Sequence, residues 1–298
     1  MDNLISQLEK LEGKLEGDLK YDYITKSIYS TDASVYKEVP AAVAWPKGAE
    51  DIRKLLQFAK SEKSFITMRA GGTSLAGQVV SSGIIADVSK YMNNIIEINS
   101  IERWVRIEPG VVLDELNIKL KEYGLFFGPE TSTSNRCNLG GMVGNNACGS
   151  HSLVYGSTRD HVIELKALLS DGSEVLFGPL SKESFNSKCS QNDLEGEIYR
   201  NTRTIFTEKV NREKIREGYP DRKIPRRNTG YALDILLNTE PFTNSSVIPF
   251  NFSALIAGSE GTLMFMTEIK LNLVPLPPKE KALICVHCHT LLNHCWQI

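Results

Sequence analysis

The sequence predicts an α+β fold with mixed sheets. Three observations support this. Helical and strand-like apolar patterns alternate along the chain, as parallel strands joined by helices require. An Asp171-Gly172 pair between two apolar runs signals an antiparallel hairpin. Glycine-rich segments fall between strand candidates rather than inside helices.

Leu4, Leu8, Leu11 and Leu15 recur at helical spacing in a Lys- and Glu-rich stretch, predicting an amphipathic helix over 3–15. Residues 49–62 predict a second helix, with Glu50 and Asp51 where the helix dipole favours acids. Residues 65–68 read as a short strand and 83–88 as a buried one. Strands follow over 95–99 and 103–107, and Pro109-Gly110 ends that pattern. A helix over 111–123 stops at Gly124, a residue suited to a left-handed cap. Residues 162–169 and 173–177 form the predicted hairpin. A long helix is expected over 194–216, a strand over 254–257 and another over 262–274, closed by Pro275, Pro277 and Pro278.

The 298 residues allow two domains, and no repeat or low-complexity tract appears. The expected division is a helical segment over 1–35, one subdomain over 36–100, a second over 101–276, and a tail over 277–298. Lys and Arg number 34 against 36 Asp and Glu, a net charge of −2, which argues against nucleic acid as a partner. No apolar run reaches the ~18–20 residues of a membrane span. Met1-Asp2-Asn3 lacks the basic start of a signal peptide. The expectation is therefore a cytoplasmic protein whose cysteines (Cys137, Cys148, Cys189, Cys285, Cys288 and Cys295) are thiols.

Residues 69–78, Arg69-Ala70-Gly71-Gly72-Thr73-Ser74-Leu75-Ala76-Gly77-Gln78, lie between two strand candidates. Small residues let a backbone approach a ligand, and successive amides can cradle an anion. A tight turn is the alternative, but it needs fewer glycines and hydroxyls. The segment lacks both the Walker Gly-Lys-Ser/Thr and the GxGxxG fingerprint. Residues 128–151 are denser in glycine, small and nearly uncharged. A solvated loop would carry Lys and Glu, and a core helix Leu and Ile. This composition suits a backbone laid against a large ligand, with a glycine-mediated helix contact as the alternative. Gly258-Ser259-Glu260-Gly261-Thr262 is a weaker third cluster.

In this order the clusters resemble the FAD-binding, PCMH-type domain of the vanillyl-alcohol oxidase superfamily, in its D-lactate, glycolate and D-2-hydroxyglutarate dehydrogenase branch. RAGGTSLAGQ is similar to the pyrophosphate loop. GPETSTSNRCNLGGMVGNNACGSHSLVYGSTRDHV is similar to the flavin-embracing segment. RRNTGYALDIL and AGSEGTL are similar to two downstream motifs. The resemblance implies two α+β subdomains enclosing FAD. It places Arg69, Ala70, Gly71, Gly72, Thr73, Ser74, Leu75 and Gln78 at the pyrophosphate. Asp87 and Ser89 fall near the flavin or ribityl chain. Pro129, Thr133, Gly140, Gly141, Gly144, Asn145 and Ala147 line the cofactor, with Ser150, Tyr155 and Gly156 beside them. Glu260 and Gly261 approach from the second half.

The resemblance also implies oxidation of a D-2-hydroxy acid by hydride transfer to flavin N5. Where covalent members carry His, this chain has Thr73, which implies non-covalent FAD. A carboxylate-binding Arg is expected before Asn-Thr-Gly-Tyr. Pro225 stands at its place, leaving Arg226, Arg227 and Thr229 as substrate candidates. The family's cap domain, with its metal ligands and acid–base His, has no counterpart in the residues after Leu276. The expectation is therefore FAD binding without full turnover and without a metal. It leaves room for an iron–sulfur or other electron-acceptor partner and for peripheral membrane contact. An NADPH-dependent flavin reductase and a non-catalytic FAD-binding subunit are the alternatives.

Cys285-Val286-His287-Cys288-His289 has a haem-attachment pattern, and with His294 and Cys295 the ligand types for zinc. The absence of a signal peptide argues against haem. A strand over 282–286, whose side chains alternate, argues against zinc. A strand with incidental Cys and His is the favoured reading. His151 is placed to touch the flavin ring or substrate, or else to serve as a hydrogen-bonded structural residue. His161 is expected at a strand start, with no role.

Overall fold

The computed structural model describes residues 2–278 apart from 222, 225, 226, 228 and 229. The first sheet comprises β1 (Asp18–Lys20), β2 (Ala42–Trp45), β3 (Ile66–Arg69) and β4 (Ile84–Asp87), in the order β1-β2-β4-β3. β2 and β3 both run parallel to β4, while β1 is antiparallel to β2. All four residues of β4 are buried, the continuous apolar signature of a central parallel strand. The crossover helix Ala49–Ser61 buries Asp51, Ile52, Leu55 and Ala59, one stripe of a 3.6-residue period. Asp51 is buried because its carboxylate accepts the amides of Glu16, Gly17 and Lys47 at 2.9–3.0 Å. It thereby ties the chain before β1 to the sheet.

The second sheet comprises β5 (Ile95–Asn99), β6 (Trp104–Ile107), β8 (Val162–Leu168), β9 (Glu174–Phe177) and β10 (Phe265–Asn272), in the order β5-β6-β10-β8-β9. Every pairing in it is antiparallel, so only the first sheet is mixed. A two-stranded pair joins β7 (Leu125–Phe126) to β11 (Val274–Pro275). One face of the second sheet carries an ion-pair ladder. Arg106 meets Glu164 at 2.7 Å and Glu268 at 3.5 Å, and Lys166 meets Glu268 and Glu174, both at 3.3 Å. The other face buries Val105, Ile107, Leu165, Ala167, Ile269 and Leu271 against helices.

A ring cluster extends that core. Phe250 is fully buried, with ring centroids 4.7 Å from Phe185 and 4.8 Å from Phe252. The first core is formed by Leu8, Leu11, Leu19, Ile52, Leu55 and Ile84, and is completed by Leu168 of β8 and Phe265 of β10.

Several expectations are corrected. Residues 95–99, assigned by sequence to the first subdomain, pair in the second sheet. Residues 18–20, assigned to a helical segment, form β1. The first helix runs Asp2–Glu12 and excludes Leu15. The long helix over 194–216 is two, Leu194–Thr207 and Lys209–Gly218, broken where Glu208 turns extended. Thr202, Thr204 and Thr207 each donate a hydroxyl to the carbonyl four residues back, which bends helices. Arg212 then donates to the Phe206 carbonyl at 2.9 Å. The strand over 254–257 is a helical turn, Ser253–Ile256. Asn251 starts it by accepting the Ser253 amide, and Ser253 donates to the Phe177 carbonyl. Four apolar residues are too few for periodicity to decide between strand and helix.

Phe250→Ala should lower the stability of the second core by about 3–5 kcal/mol, the usual range for emptying a buried aromatic site. A drop in the denaturant midpoint with an unchanged slope would show it.

Candidate functional site

The two parallel strands β3 and β4 end side by side, with Arg69 opposite Asp87 in register. The crevice outside such strand ends is where open α/β sheets bind ligands. Residues 69–78 leave β3 at this point. Arg69 donates to the Tyr29 carbonyl at 3.4 Å and lies 4.9 Å over the Tyr29 ring. The Tyr29 hydroxyl donates to Asp87 Oδ2 at 2.6 Å and accepts from Trp45 Nε1 at 3.0 Å. Burial, and then Asp87, push the Tyr29 phenol above its usual range. The other Asp87 oxygen accepts the Ser89 amide at 2.7 Å. Arg69 and Asp87 therefore have these polar groups engaged in fixing the two strand ends. Gly72 takes a left-handed φ of +61°, Thr73 is half-buried, and Leu75 is exposed. Ser74 donates to Gln78 Oε1.

The second segment begins at buried Pro129 and turns at Thr133, whose amide donates to Thr131 Oγ1. It then forms the helix Leu139–Asn145, which ends in left-handed Asn146. Gly140 packs on Pro109, and buried Ala147 accepts the Thr158 amide through its carbonyl. Ser150 donates to Glu130 Oε1, and His151 Nδ1 lies 3.0 Å from Glu130 Oε2. Tyr155 stacks edge-on against Phe126, and Gly156 has a φ of +76°. His161 sits at the start of β8 with its ring nitrogens 2.6 Å from the Tyr155 carbonyl and 3.2 Å from that of Asn272.

The three clusters meet. A β-carbon on Gly71 would fall 2.5 Å from the Arg136 carbonyl oxygen, so the first loop lies backbone against backbone on the second segment. A β-carbon on Gly141 would touch that of Ala70 at 3.2 Å. Glu260 and Gly258 donate their amides to the carbonyls of Gly144 and Val143, at 2.8 and 2.9 Å. The amide of Gly261 lies 3.8 Å from where a Gly144 β-carbon would stand. Asn145 Nδ2 donates to Glu260 Oε1 at 3.1 Å. Asn145 and Glu260 thus join the second cluster to the third through their side chains. Burial raises the Glu260 pKa, and the amide side chains of Asn145 and Gln78 partly counter it. A separate concavity lined by Leu56, Ala59, Lys60, Phe65 and Asp171 carries none of the predicted residues.

Arg159 was not expected at the site, yet it fastens the junction. It is buried, and Nε donates to the Ala257 carbonyl at 3.0 Å. Nη2 donates to the carbonyls of both Gly230 and Ala257, and the Arg159 amide donates to Asn146 Oδ1 at 2.8 Å. The second segment, the Asn-Thr-Gly-Tyr motif and the third cluster therefore share one guanidinium. Burial lowers its pKa, opposed by Asp160 and Asp234. The only sequence signal was a charged residue just before an apolar strand.

Of the substrate candidates, Arg227 is largely buried and ion-paired with Asp234. Arg226 and Thr229 lie outside the described residues, as do Pro225 and the Cys- and His-rich tail. The described residues contain no group of three His, Cys, Asp or Glu able to hold a metal. No helix among them is long and apolar enough to cross a membrane.

Residues 40–178 match the FAD binding domain family. The D-2-hydroxyglutarate dehydrogenase of Pseudomonas putida is 39% identical over 264 residues, covering 88% of this chain and 25% of the relative. The Escherichia coli enzyme of the same name is 39% identical over 92% of this chain and 26% of its own. The chain thus spans about a quarter of the length of these relatives. A Bacillus subtilis glycolate oxidase subunit is 26% identical over 87% of this chain and 43% of its own. Among solved structures, an alkyldihydroxyacetonephosphate synthase aligns with a TM-score of 0.61 at 17% identity, over 92% of this chain and 41% of that one. The 6-hydroxy-D-nicotine oxidase of Arthrobacter nicotinovorans aligns at 0.57 and 17%, over 88% and 43%. These two likenesses establish the fold.

Arg159→Leu should orphan the Ala257 and Gly230 carbonyls, at about 1–3 kcal/mol for each buried group left unsatisfied. Arg159→Lys, lacking the fork, should recover only part of the loss in a denaturation series. Glu260 has a folded pKa raised above its ordinary 4.5. Its stabilising contribution is therefore complete below the unfolded value and declines as pH rises through the folded one. Glu260→Gln should flatten that decline in a stability-versus-pH profile.

Proposed function

We propose that this chain, whose residues 40–178 are an FAD-binding domain related to those of the D-2-hydroxy-acid dehydrogenases, holds FAD without a covalent bond and serves in the oxidation of a D-2-hydroxy acid. The meeting of the three glycine-rich segments carries this reading. Glycine at 71, 141, 144 and 261 keeps side chains out of the junction and leaves backbone amides to face a ligand. Gly141 is exposed while its neighbours Met142 and Val143 are buried, so that helix turns a side-chain-free surface outward. Such a surface suits a large, flat cofactor with an anionic bridge.

Gly71, Gly72, Thr73, Ser74 and Leu75 would hold the pyrophosphate through amides and hydroxyls. Gly140, Gly141, Gly144 and Asn145 would line one side, with Glu260 and Gly261 opposite. When bound, FAD would supply the two-electron acceptor: the α-hydrogen of the hydroxy acid would leave as hydride to flavin N5 and its hydroxyl proton would pass to a base. The part of the chain is to orient the cofactor and exclude water from it. Thr73 has no imidazole with which to form a flavin linkage, which supports non-covalent binding. Arg226, Arg227 and Thr229 are the candidates for the substrate carboxylate, since a guanidinium fork matches it. Arg227 would act from its ion pair with Asp234.

The purified protein should show flavin absorption bands that pass into the supernatant on acid precipitation. Bands held in the pellet would overturn non-covalent attachment. Anaerobic bleaching by D-2-hydroxyglutarate, D-lactate or glycolate would support the substrate class, whereas bleaching by NADPH alone would replace it. A colourless protein that takes up no FAD on reconstitution would defeat the whole reading.

A further inference from the structure

The three glycine-rich clusters, residues 69–78, 128–151 and 258–262, carry very little charge. Their fully charged side chains at neutral pH are Arg69, Glu130, Arg136 and Glu260. Three of these are engaged within the fold. Arg69 donates to the Tyr29 carbonyl and lies over its ring. Glu130 accepts from Ser150 and faces His151. Glu260 accepts from Asn145. Arg136 differs. It is exposed, and Nη1 donates only to Oδ1 of the adjacent Asn135, at 2.9 Å. No carboxylate of the described residues lies within ion-pair distance of it. Its backbone, by contrast, is fixed. The Thr133 carbonyl accepts the amides of Arg136 and Cys137, at 2.9 and 2.8 Å. Cys137 is buried by this turn, and the Arg136 carbonyl lies against Gly71 of the first loop. An exposed guanidinium therefore stands where the first two clusters touch.

Gly71 belongs to the loop proposed for the pyrophosphate. That group brings two negative charges to a place where the charges of the clusters cancel, Arg69 and Arg136 against Glu130 and Glu260. Backbone amides offer it only partial charges. Arg69 is already spent on Tyr29 beneath the loop. A guanidinium is always charged, and its fork matches a pair of phosphate oxygens. We infer that Arg136 is a cofactor-binding residue, whose guanidinium closes on the FAD pyrophosphate across the seam and supplies the counter-charge that the glycine-rich segments lack. The inference rests on the FAD reading above. Exposure leaves the guanidinium within reach of an incoming ligand. Its one side-chain partner is its own neighbour, so the exchange leaves the backbone in place. A neutral acceptor is given up for a dianionic one.

The test is the FAD dissociation constant of the full chain, read by flavin fluorescence over a series of salt concentrations. Arg136→Gln should bind FAD about 10-fold more weakly than wild type at low salt, the share of one charge-assisted contact. Salt screens exposed charges, so this gap should narrow as the salt concentration rises. Arg136→Lys should fall between wild type and Arg136→Gln, and Arg136→Glu should bind more weakly than either. Without FAD, each variant should melt at the wild-type midpoint, because the side chain is exposed and bonds only its neighbour. Should one variant fail to fold, the order of the others decides. Equal FAD affinity in wild type and Arg136→Gln at low salt would overturn the inference while leaving the FAD reading intact. A loss of the same size at every salt concentration would also overturn it, since an altered loop weakens binding without regard to screening. No binding of FAD by the wild type would remove both.

Discussion

Two backbones touching where no side chain fits is the constraint on which this molecule depends. The Arg136 carbonyl lies so close to Gly71 that a single methyl would force the first sheet and the second segment apart. The parallel sheet brings the ends of β3 and β4 together, and the cluster of Arg69, Tyr29, Trp45 and Asp87 fixes those ends. From there the loop has to travel only a few residues to reach the helix Leu139–Asn145. The two cores thus serve mainly to aim two strips of bare backbone at each other.

The second half solves the complementary problem of holding three irregular segments still. Loops carry carbonyls that no ladder satisfies. Arg159 collects those of Ala257 and Gly230, while its own amide binds Asn146. A guanidinium suits this task because it presents several donors in one rigid plane. The amides of Gly258 and Glu260, given to Val143 and Gly144, close the remaining gap.

Much of this was legible in the sequence, for physical reasons. Buried β4 reads as an unbroken apolar run, Ala49–Ser61 as a 3.6-residue stripe, and the β8–β9 turn as Asp-Gly. The glycine clusters announced themselves by composition, because little else explains so many small, uncharged residues in a row. What stayed hidden depends on partners remote in the chain. Arg159 looked like an ordinary charge because its acceptors lie 71 and 98 positions away. Nothing in the local pattern shows Asp87 facing Tyr29, 58 residues back. The break at Glu208 depends on threonine hydroxyls turning inward, which apolar periodicity does not record. The fold class came through, while the choice of partners at each loop did not.

The place of β10 has a consequence for how the chain is made. It is the central strand of the second sheet, between β6 and β8, yet it comes after every other strand of that sheet in the sequence. On a ribosome the hairpins β5–β6 and β8–β9 emerge early and stay separate until residues 265–272 appear. Phe265 from the same strand also completes the first core, so neither half reaches its final packing before then. Exposed apolar surface and unpaired strand edges during that interval invite chaperone capture, as contacts of long sequence separation do in general.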